Sequence, residues 1–147
     1  MLILGSLLMI ICHLTFALVL PAYPNKLIAY SAILLLGVSF SLVPASLWPS
    51  IPKIMDKRFL GSAYSLIFWV QNFGLMGMPI LIGWALEKCN PGVAEQIAAQ
   101  VEGVSYNYTV PMLIFASLGG LALLFSLWLK AMDKRNGYGL ELPNIKG

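Results

Sequence analysis

Four long apolar runs are the feature that most constrains this sequence. They cover about residues 2–20, 29–52, 61–86 and 110–131. A helix needs roughly 20 apolar residues to cross about 30 Å of hydrocarbon, so each run is long enough. Because lipid offers no hydrogen bonds to backbone groups, each run should be a helix rather than a strand. The sequence therefore predicts an all-α membrane protein with four transmembrane helices.

The composition indicates that lipid surrounds these runs. The chain is 59% hydrophobic and only 10% charged, whereas an ordinary globular domain is roughly a quarter charged. A chain of 147 residues cannot bury that much apolar surface in a core of its own.

The distribution of basic residues predicts the orientation. Three lie in the loop 53–58 and four lie at or after the end of the last run, whereas the opposite side has only Lys26 and Lys88. By the positive-inside rule the richer side is cytosolic, and both termini are then cytosolic. The first run lacks the basic n-region and the cleavage site of a signal peptide, so we expect it to remain as a span.

The loop between the second and third runs holds the densest group of charges. It contains Lys53, Asp56, Lys57 and Arg58, and Gly61 follows it. We interpret it as a cytosolic hinge: prolines end the second helix, basic residues fix the topology, and the acid pairs with Arg58 or a helix end. A nucleic-acid site is disfavoured, because six residues beside a membrane provide no groove-filling element or stacking platform.

The remaining connections are polar. The loop 87–109 has apolar residues at helical spacing after Asn90-Pro91-Gly92, which predicts a short amphipathic helix on the outer surface. Asn107 fits the N-glycosylation pattern, close to the predicted bilayer. The four-helix part covers residues 1–132, and we expect the polar tail 133–147 to be disordered and cytosolic.

Ionisable chemistry is scarce inside the predicted spans. No Asp, Glu, Lys or Arg lies at a span centre, where a charge would mark an ion or proton pathway. For His13, a neutral imidazole that donates to a backbone carbonyl is the simpler interpretation. Two cysteines and one histidine give no metal-ligand spacing. We therefore predict no catalytic residue, no metal and no cofactor.

Polar residues concentrate in the second and third runs. Gln71 and Asn72 would lose hydrogen bonds in lipid, so they should face protein or a water-filled cavity. Proline and glycine interruptions with amide side chains are typical of helices that line a transporter cavity. Ordinary packing between helices is the alternative. The predicted pathway residues are Ser46, Trp48, Trp69, Gln71 and Asn72.

One segment resembles a known family. In SLWPSIPKIMDKRFLGSAYSLIFWVQNFGLMGMPILIGW, residues 46–84, a proline-rich helix end precedes a basic loop with Arg58-x-x-Gly61 and a helix with spaced glycines. This is similar to the connection between the tenth and eleventh helices of the major facilitator superfamily. The resemblance implies that the four spans are helices nine to twelve, with the second and third lining the cavity and the others peripheral.

The resemblance is strongest to a lysosomal member of that family, and it implies a function. The expected activity is uniport of dipeptides, cationic ones preferred, from the lysosome to the cytosol by alternating access. The expected partners are the lipid bilayer, a dipeptide and a glycosylated lysosomal membrane protein bound through the luminal loop, with a second copy of the chain as a further candidate.

The chain is much shorter than a twelve-helix transporter, and this leaves more than one interpretation of its function. Eight helices of such a transporter lie outside the sequence, with the substrate-binding residues of its N-terminal half, so we expect a fragment that does not transport alone. A self-contained four-span scaffold or interaction protein is the alternative. An intramembrane enzyme is disfavoured, because no acid, base or metal set exists.

Overall fold

Capping residues mark the ends of two of the long helices. Asn25 caps the second long helix, where its Oδ1 accepts a hydrogen bond from the Leu27 N–H at 2.9 Å. Gly137 ends the last helix with φ +68°, a conformation that glycine adopts without strain. The computed structural model describes residues 1–142. It contains α1 (Leu2–Ala22), α2 (Lys26–Ile54), α3 (Leu60–Cys89), α4 (Val93–Ala98) and α5 (Thr109–Asn136).

Four of these helices are long and apolar enough to cross a membrane, namely α1, α2, α3 and α5. Within residues 1–142, this confirms the predicted all-α class with four candidate spans. The short helix predicted in the loop 87–109 is present as α4. α5 continues to Asn136, beyond the predicted start of a disordered tail at residue 133, and residues 137–142 fold back on the helices. Residues 143–147 of that predicted tail, including Lys146, lie outside the described residues.

α1 has one widened turn near its end. Thr15–Val19 is π-helical, and the Leu20 N–H donates to the Thr15 carbonyl. Pro21 explains the turn, because proline has no N–H and its ring clashes with the carbonyl four residues earlier. Adding one residue to the turn relieves that clash, so the helix reaches Ala22 without a break.

α2 continues through Pro44, Pro49 and Pro52 and ends at Ile54, two residues beyond the predicted end at residue 52. Each proline leaves the carbonyl four residues earlier without its usual backbone donor. In a membrane such a carbonyl needs another donor. For Pro52 the carbonyl belongs to Trp48, and the hydroxyl of Tyr64 on α3 donates to it at 3.4 Å.

α1 is the central helix of the packing and lies against both α2 and α5. Toward α2, the fully buried Ser39 donates its hydroxyl to the Gly5 carbonyl at 2.6 Å, and the Cys12 thiol donates to the Ala32 carbonyl at 3.1 Å. Small residues let the backbones approach closely here. The peripheral place expected for the first span refers to the cavity of a twelve-helix protein and stays a prediction.

The contact between α1 and α5 is equally close. A Cβ atom added to Gly119 would lie 2.9 Å from Cγ1 of Ile10, nearer than real Cβ contacts permit. The hydroxyls of Ser6 and Ser126 lie 3.4 Å apart, and each also donates to a carbonyl of its own helix. α1, α2 and α5 therefore form a three-helix core.

α3 is packed much less than the other long helices. Ala85 is its one buried residue, whereas large apolar side chains along it, such as Trp69, Leu75 and Ile80, are more than 60% exposed. It contacts α2 near its beginning, through Tyr64 and Phe68, and it also contacts α5. An apolar helix this exposed needs lipid or further protein around it.

Candidate functional site

An aromatic cluster joins α2 to α3. The Trp48 ring lies 5.1 Å from the Phe68 ring and 5.7 Å from the Tyr64 ring, measured between centroids. Tyr64 and Phe68 are four residues apart and so share one face of α3. Tilted aromatic pairs at these distances contribute about 0.5–1.5 kcal/mol beyond their buried area. The cluster thus fixes where α3 begins its contact with α2.

The predicted pathway residues of α3 lie beside this cluster. Asn72 is exposed, and its amide donates to the Phe68 carbonyl of its own helix at 2.8 Å. Gln71 and Trp69 are also exposed, and the Trp69 ring stands edge-on to Phe73 at 4.6 Å. These polar and aromatic groups are exposed within the described residues. They are free to meet lipid, water or another protein segment.

The predicted pathway residues do not all converge. Ser46 and Trp48 are two residues apart on a helix, which places them about 200° apart around its axis. Trp48 faces α3, whereas Ser46 lines a cavity bounded by α1 and α5, and its hydroxyl bonds to carbonyls of α2. The structure therefore brings Trp48 towards the α3 residues and places Ser46 on the other side of α2.

The cavity beside Ser46 lies at the end of the molecule that we name the basic end. This end carries the exposed or half-buried basic residues Lys53, Lys57, Arg58, Lys130, Lys134 and Arg135. The cavity has a volume of about 810 Å³, and its walls come from α1, α2, α5 and the segment after α5. Its polar lining includes Ser50, Lys53 and Asp133, and leucines from α1 and α5 supply much of the rest.

The charged loop at the basic end is exposed. Asp56 caps a 3₁₀ turn formed by Lys57–Phe59, where its Oδ1 accepts a hydrogen bond from the Arg58 N–H at 3.1 Å. Among residues 1–142, no ion pair joins Asp56 to the Arg58 guanidinium. The carboxylate instead meets the backbone of Arg58, which orders the entry into α3. Gly61 is exposed in the first turn of α3, with open space around it.

His13 lies on α1 with Nδ1 2.8 Å from the Met9 carbonyl oxygen. A carbonyl only accepts, so Nδ1 is the donor in this contact, which agrees with the predicted donation to a backbone carbonyl. The ring also lies 5.3 Å from that of Phe115. These contacts are those of a packing residue.

At the end opposite the basic end, Asn90 and Asn107 join the two ends of the loop between α3 and α5. The Asn90 side chain accepts from the Asn107 N–H at 2.7 Å and donates to the Asn107 carbonyl at 3.1 Å. The Asn107 side chain in turn accepts from the Thr109 N–H. Asn107 is exposed, and its glycosylation stays a prediction.

Two contacts were missed by the sequence reasoning. Lys53 was assigned only to topology, yet its ammonium donates to the carbonyls of Gly139 and Leu142. Tyr64 was given no role, yet its hydroxyl donates to the Trp48 carbonyl, which Pro52 leaves without a backbone donor. The second contact had a signal, because each helical proline identifies the carbonyl that lacks its donor. The first had none, since 86 residues separate Lys53 from Gly139.

Comparison with known proteins gives a partial match. No protein-family model matches the sequence, and no solved structure resembles it with significance. The chain is 41% identical over 57 residues to the lysosomal dipeptide transporter MFSD1 of Mus musculus. It is 41% identical over 56 residues to that of Danio rerio, and 37% identical over 57 residues to that of Homo sapiens.

The match covers only part of this chain and a smaller part of each relative. For the mouse protein it spans 39% of this chain and 12% of the relative, and the human and zebrafish values are 39% and 38% of this chain with 12% of the relative. The named relatives are transporters of the major facilitator superfamily rather than enzymes. The four candidate spans and this similarity together indicate a transporter-related membrane segment.

Proposed function

We propose that this chain is the C-terminal part of a longer facilitator-type transporter, a lysosomal uniporter that exports dipeptides to the cytosol by alternating access. The observation that carries the proposal is the partial identity to lysosomal dipeptide transporters. The four long helices would then be helices nine to twelve, with both termini and the basic end in the cytosol. The chain alone would not transport.

The exposure of α3 supports this proposal. In the described residues α3 leaves a nearly complete apolar helix surface uncovered, together with two side-chain amides. In a longer transporter the other helices would cover part of this surface, and the amides would face the cavity between the halves. α2 would contribute Trp48 to that cavity.

The chemistry of these residues suits a peptide. Gln71 and Asn72 each offer a donor and an acceptor, which matches the N–H and C=O of a peptide bond. The indoles of Trp48 and Trp69 attract a cation placed over the ring, which would favour cationic dipeptides. Ser46, on the other side of α2, would act from the second cavity or as a packing residue.

The connections would serve orientation and partners. At the basic end Lys53, Lys57 and Arg58 would set the topology, and Asp56 with Gly61 would shape the hinge at which α3 rocks. At the opposite end the loop 87–109 would face the lumen. That loop is where we would expect a glycan on Asn107, and it would contact a glycosylated membrane partner or a second copy.

The test uses the full-length protein that carries this sequence, reconstituted in liposomes. We expect saturable uptake of the cationic dipeptide lysyl-alanine without an imposed proton gradient. Gln71→Leu with Asn72→Leu should lower uptake about tenfold, because the dipeptide would lose its hydrogen bonds to both amides during transport. Ser117→Leu, at an exposed serine of α5, is the matched control and should leave uptake unchanged. Equal rates in the double variant and the control would remove the amides from the pathway.

The alternative function is a four-span scaffold, and the three-helix core favours it. α1, α2 and α5 already contact one another, and buried hydrogen bonds join α1 to α2 without further helices. Expression of residues 1–147 alone separates the two functions. A stable, monodisperse membrane protein with no longer transcript would support the scaffold, whereas rapid degradation of the isolated chain would support the transporter segment.

A further inference from the structure

The segment that follows α5 turns back across the basic end. Gly137 and Gly139 both have positive φ, +68° and +69°, and the Gly137 N–H donates to the Asp133 carbonyl at 2.8 Å. Positive φ is costly for residues with a Cβ. Two glycines in three residues therefore permit a tight reversal, and residues 137–142 run back along the helix ends instead of extending away.

Lys53 of α2 holds this segment. Its ammonium lies 2.9 Å from the Gly139 carbonyl oxygen and also donates to the Leu142 carbonyl. Two backbone carbonyls converge on one cation, and hydrogen bonds to a charged group are stronger than neutral ones. Lys57, four residues later, provides a contrast, because it is exposed and lies outside α2.

α5 holds the segment from its other side. Oδ1 of the half-buried Asp133 accepts from the Leu140 N–H at 3.1 Å. Lys130 and Glu141 form an ion pair at 3.4 Å, with both side chains more than 60% exposed. An exposed pair of this kind contributes little. The main attachments are therefore those of Lys53 and Asp133, one from each helix.

The segment after α5 also borders the cavity at the basic end. Leu140, Glu141 and Leu142 form part of the wall of the 810 Å³ cavity between α1, α2 and α5. Ser50, which is 8% exposed, lies in the same cavity. If the segment moved away, the cavity would lose that wall and Lys53 would lose both carbonyl partners.

We propose that residues 137–142 are a latch that closes this cavity at the basic end, with the Lys53 ammonium as its holding group. The closed latch ties α2 to α5 through backbone carbonyls, which keep their affinity for a cation at any physiological pH. Release admits water and solutes from the adjoining aqueous phase to Ser50. This proposal concerns the packing of the described helices and does not depend on the transported substrate.

The test measures access to Ser50. In the full-length protein, purified into nanodiscs, Ser50→Cys is introduced together with Cys89→Ser, which removes the exposed native thiol. The rate of reaction with a charged, membrane-impermeant thiosulfonate reagent is then measured. Cys12 is buried at 1% exposure, and the same protein with Ser50 retained supplies the background rate.

Two variants release the latch from different sides. Lys53→Met removes the cation, and Gly139→Ala forces a side chain into a positive-φ position where its Cβ would also lie 3.1 Å from Leu142 Cδ1. Each should raise the rate about tenfold, the population shift expected from losing a charged hydrogen bond. Lys57→Met is the matched control and should leave the rate unchanged. Size-exclusion profiles confirm that each variant is folded.

Two outcomes would overturn the latch. One is a rate within twofold of the Lys57→Met control in both variants, which would mean that the segment does not limit access. The other is acceleration in Lys53→Met alone, which would mean that Lys53 protects Ser50 locally and the segment has no part in closure. Acceleration in both variants, with the control unchanged, establishes the latch.

Discussion

The three-helix core and α3 are built from similar sequences but are packed very differently. α1, α2 and α5 meet through small residues and hydrogen bonds between helices, such as Ser39 to the Gly5 carbonyl. α3 is richer in glycine than any of these helices, yet a Cβ at Gly74, Gly77 or Gly83 would meet open space. Glycine in a membrane helix thus indicates that close approach is possible, and the partner decides whether it is used.

The largest expected difference between the two regions comes from filling a glycine. Gly119→Val places a side chain against Ile10, where a Cβ alone would come within 2.9 Å. Overpacking of this kind costs about 1–3 kcal/mol. Gly77→Val on α3 has nothing within 4 Å and should cost less than about 0.5 kcal/mol. Thermal unfolding of the purified chain in detergent measures both.

The same pair of variants sharpens the comparison in the proposed longer transporter. If further helices cover α3 there, Gly77→Val should become as destabilising as Gly119→Val. A Gly77→Val variant that remains neutral in the full-length protein would mean that this part of α3 faces lipid or a cavity in both settings.

A smaller difference is expected from two serines on α2. Ser39 bonds across to α1 and is fully buried, whereas Ser41 is exposed and bonds to the Gly37 carbonyl of its own helix. Ser39→Ala should lower the free energy of unfolding by about 0.6–1.7 kcal/mol, the range measured for hydrogen bonds between membrane helices. Ser41→Ala should be close to neutral. Equal losses would show that the Ser39 bond adds nothing beyond its own helix.

The smallest expected effect concerns the contact that joins the two regions. Tyr64→Phe removes the donor to the Trp48 carbonyl and should cost about 0.5 kcal/mol, because the bond is long. In a Pro52→Ala background, the new Ala N–H can serve that carbonyl, and the same substitution should then cost nothing. A double-mutant cycle by thermal unfolding measures the coupling. An unchanged cost in both backgrounds would disprove the link between Pro52 and Tyr64.

The helices were predictable because their signal is local. A run of apolar residues without charges identifies a span from composition alone, and the ends at Asn25 and Gly137 follow ordinary capping chemistry. The opposite faces of Ser46 and Trp48 also follow from helix geometry, because two residues at about 100° each lie about 200° apart. The prediction of one shared pathway did not account for this separation.

Other features depend on contacts that no local pattern records. The passage of α2 through its prolines requires donors from elsewhere, such as Tyr64 on the next helix. The folding back of residues 137–142 requires Lys53, far away in sequence. Polar residues on α3 predicted a cavity wall, but Gln71 and Asn72 are exposed within residues 1–142. The pathway therefore stays a prediction.

The Asn90–Asn107 pair changes how the loop between α3 and α5 behaves as a polymer. By joining positions 17 residues apart, it closes the loop into a ring whose ends are fixed independently of its contents. The entropy of closing such a ring grows only with the logarithm of its length, and doubling the length costs about 0.6 kcal/mol. Residues 91–106 can therefore be lengthened or rebuilt at little cost to the helices. New surface features on this side of the membrane can evolve there while the rest of the chain stays unchanged.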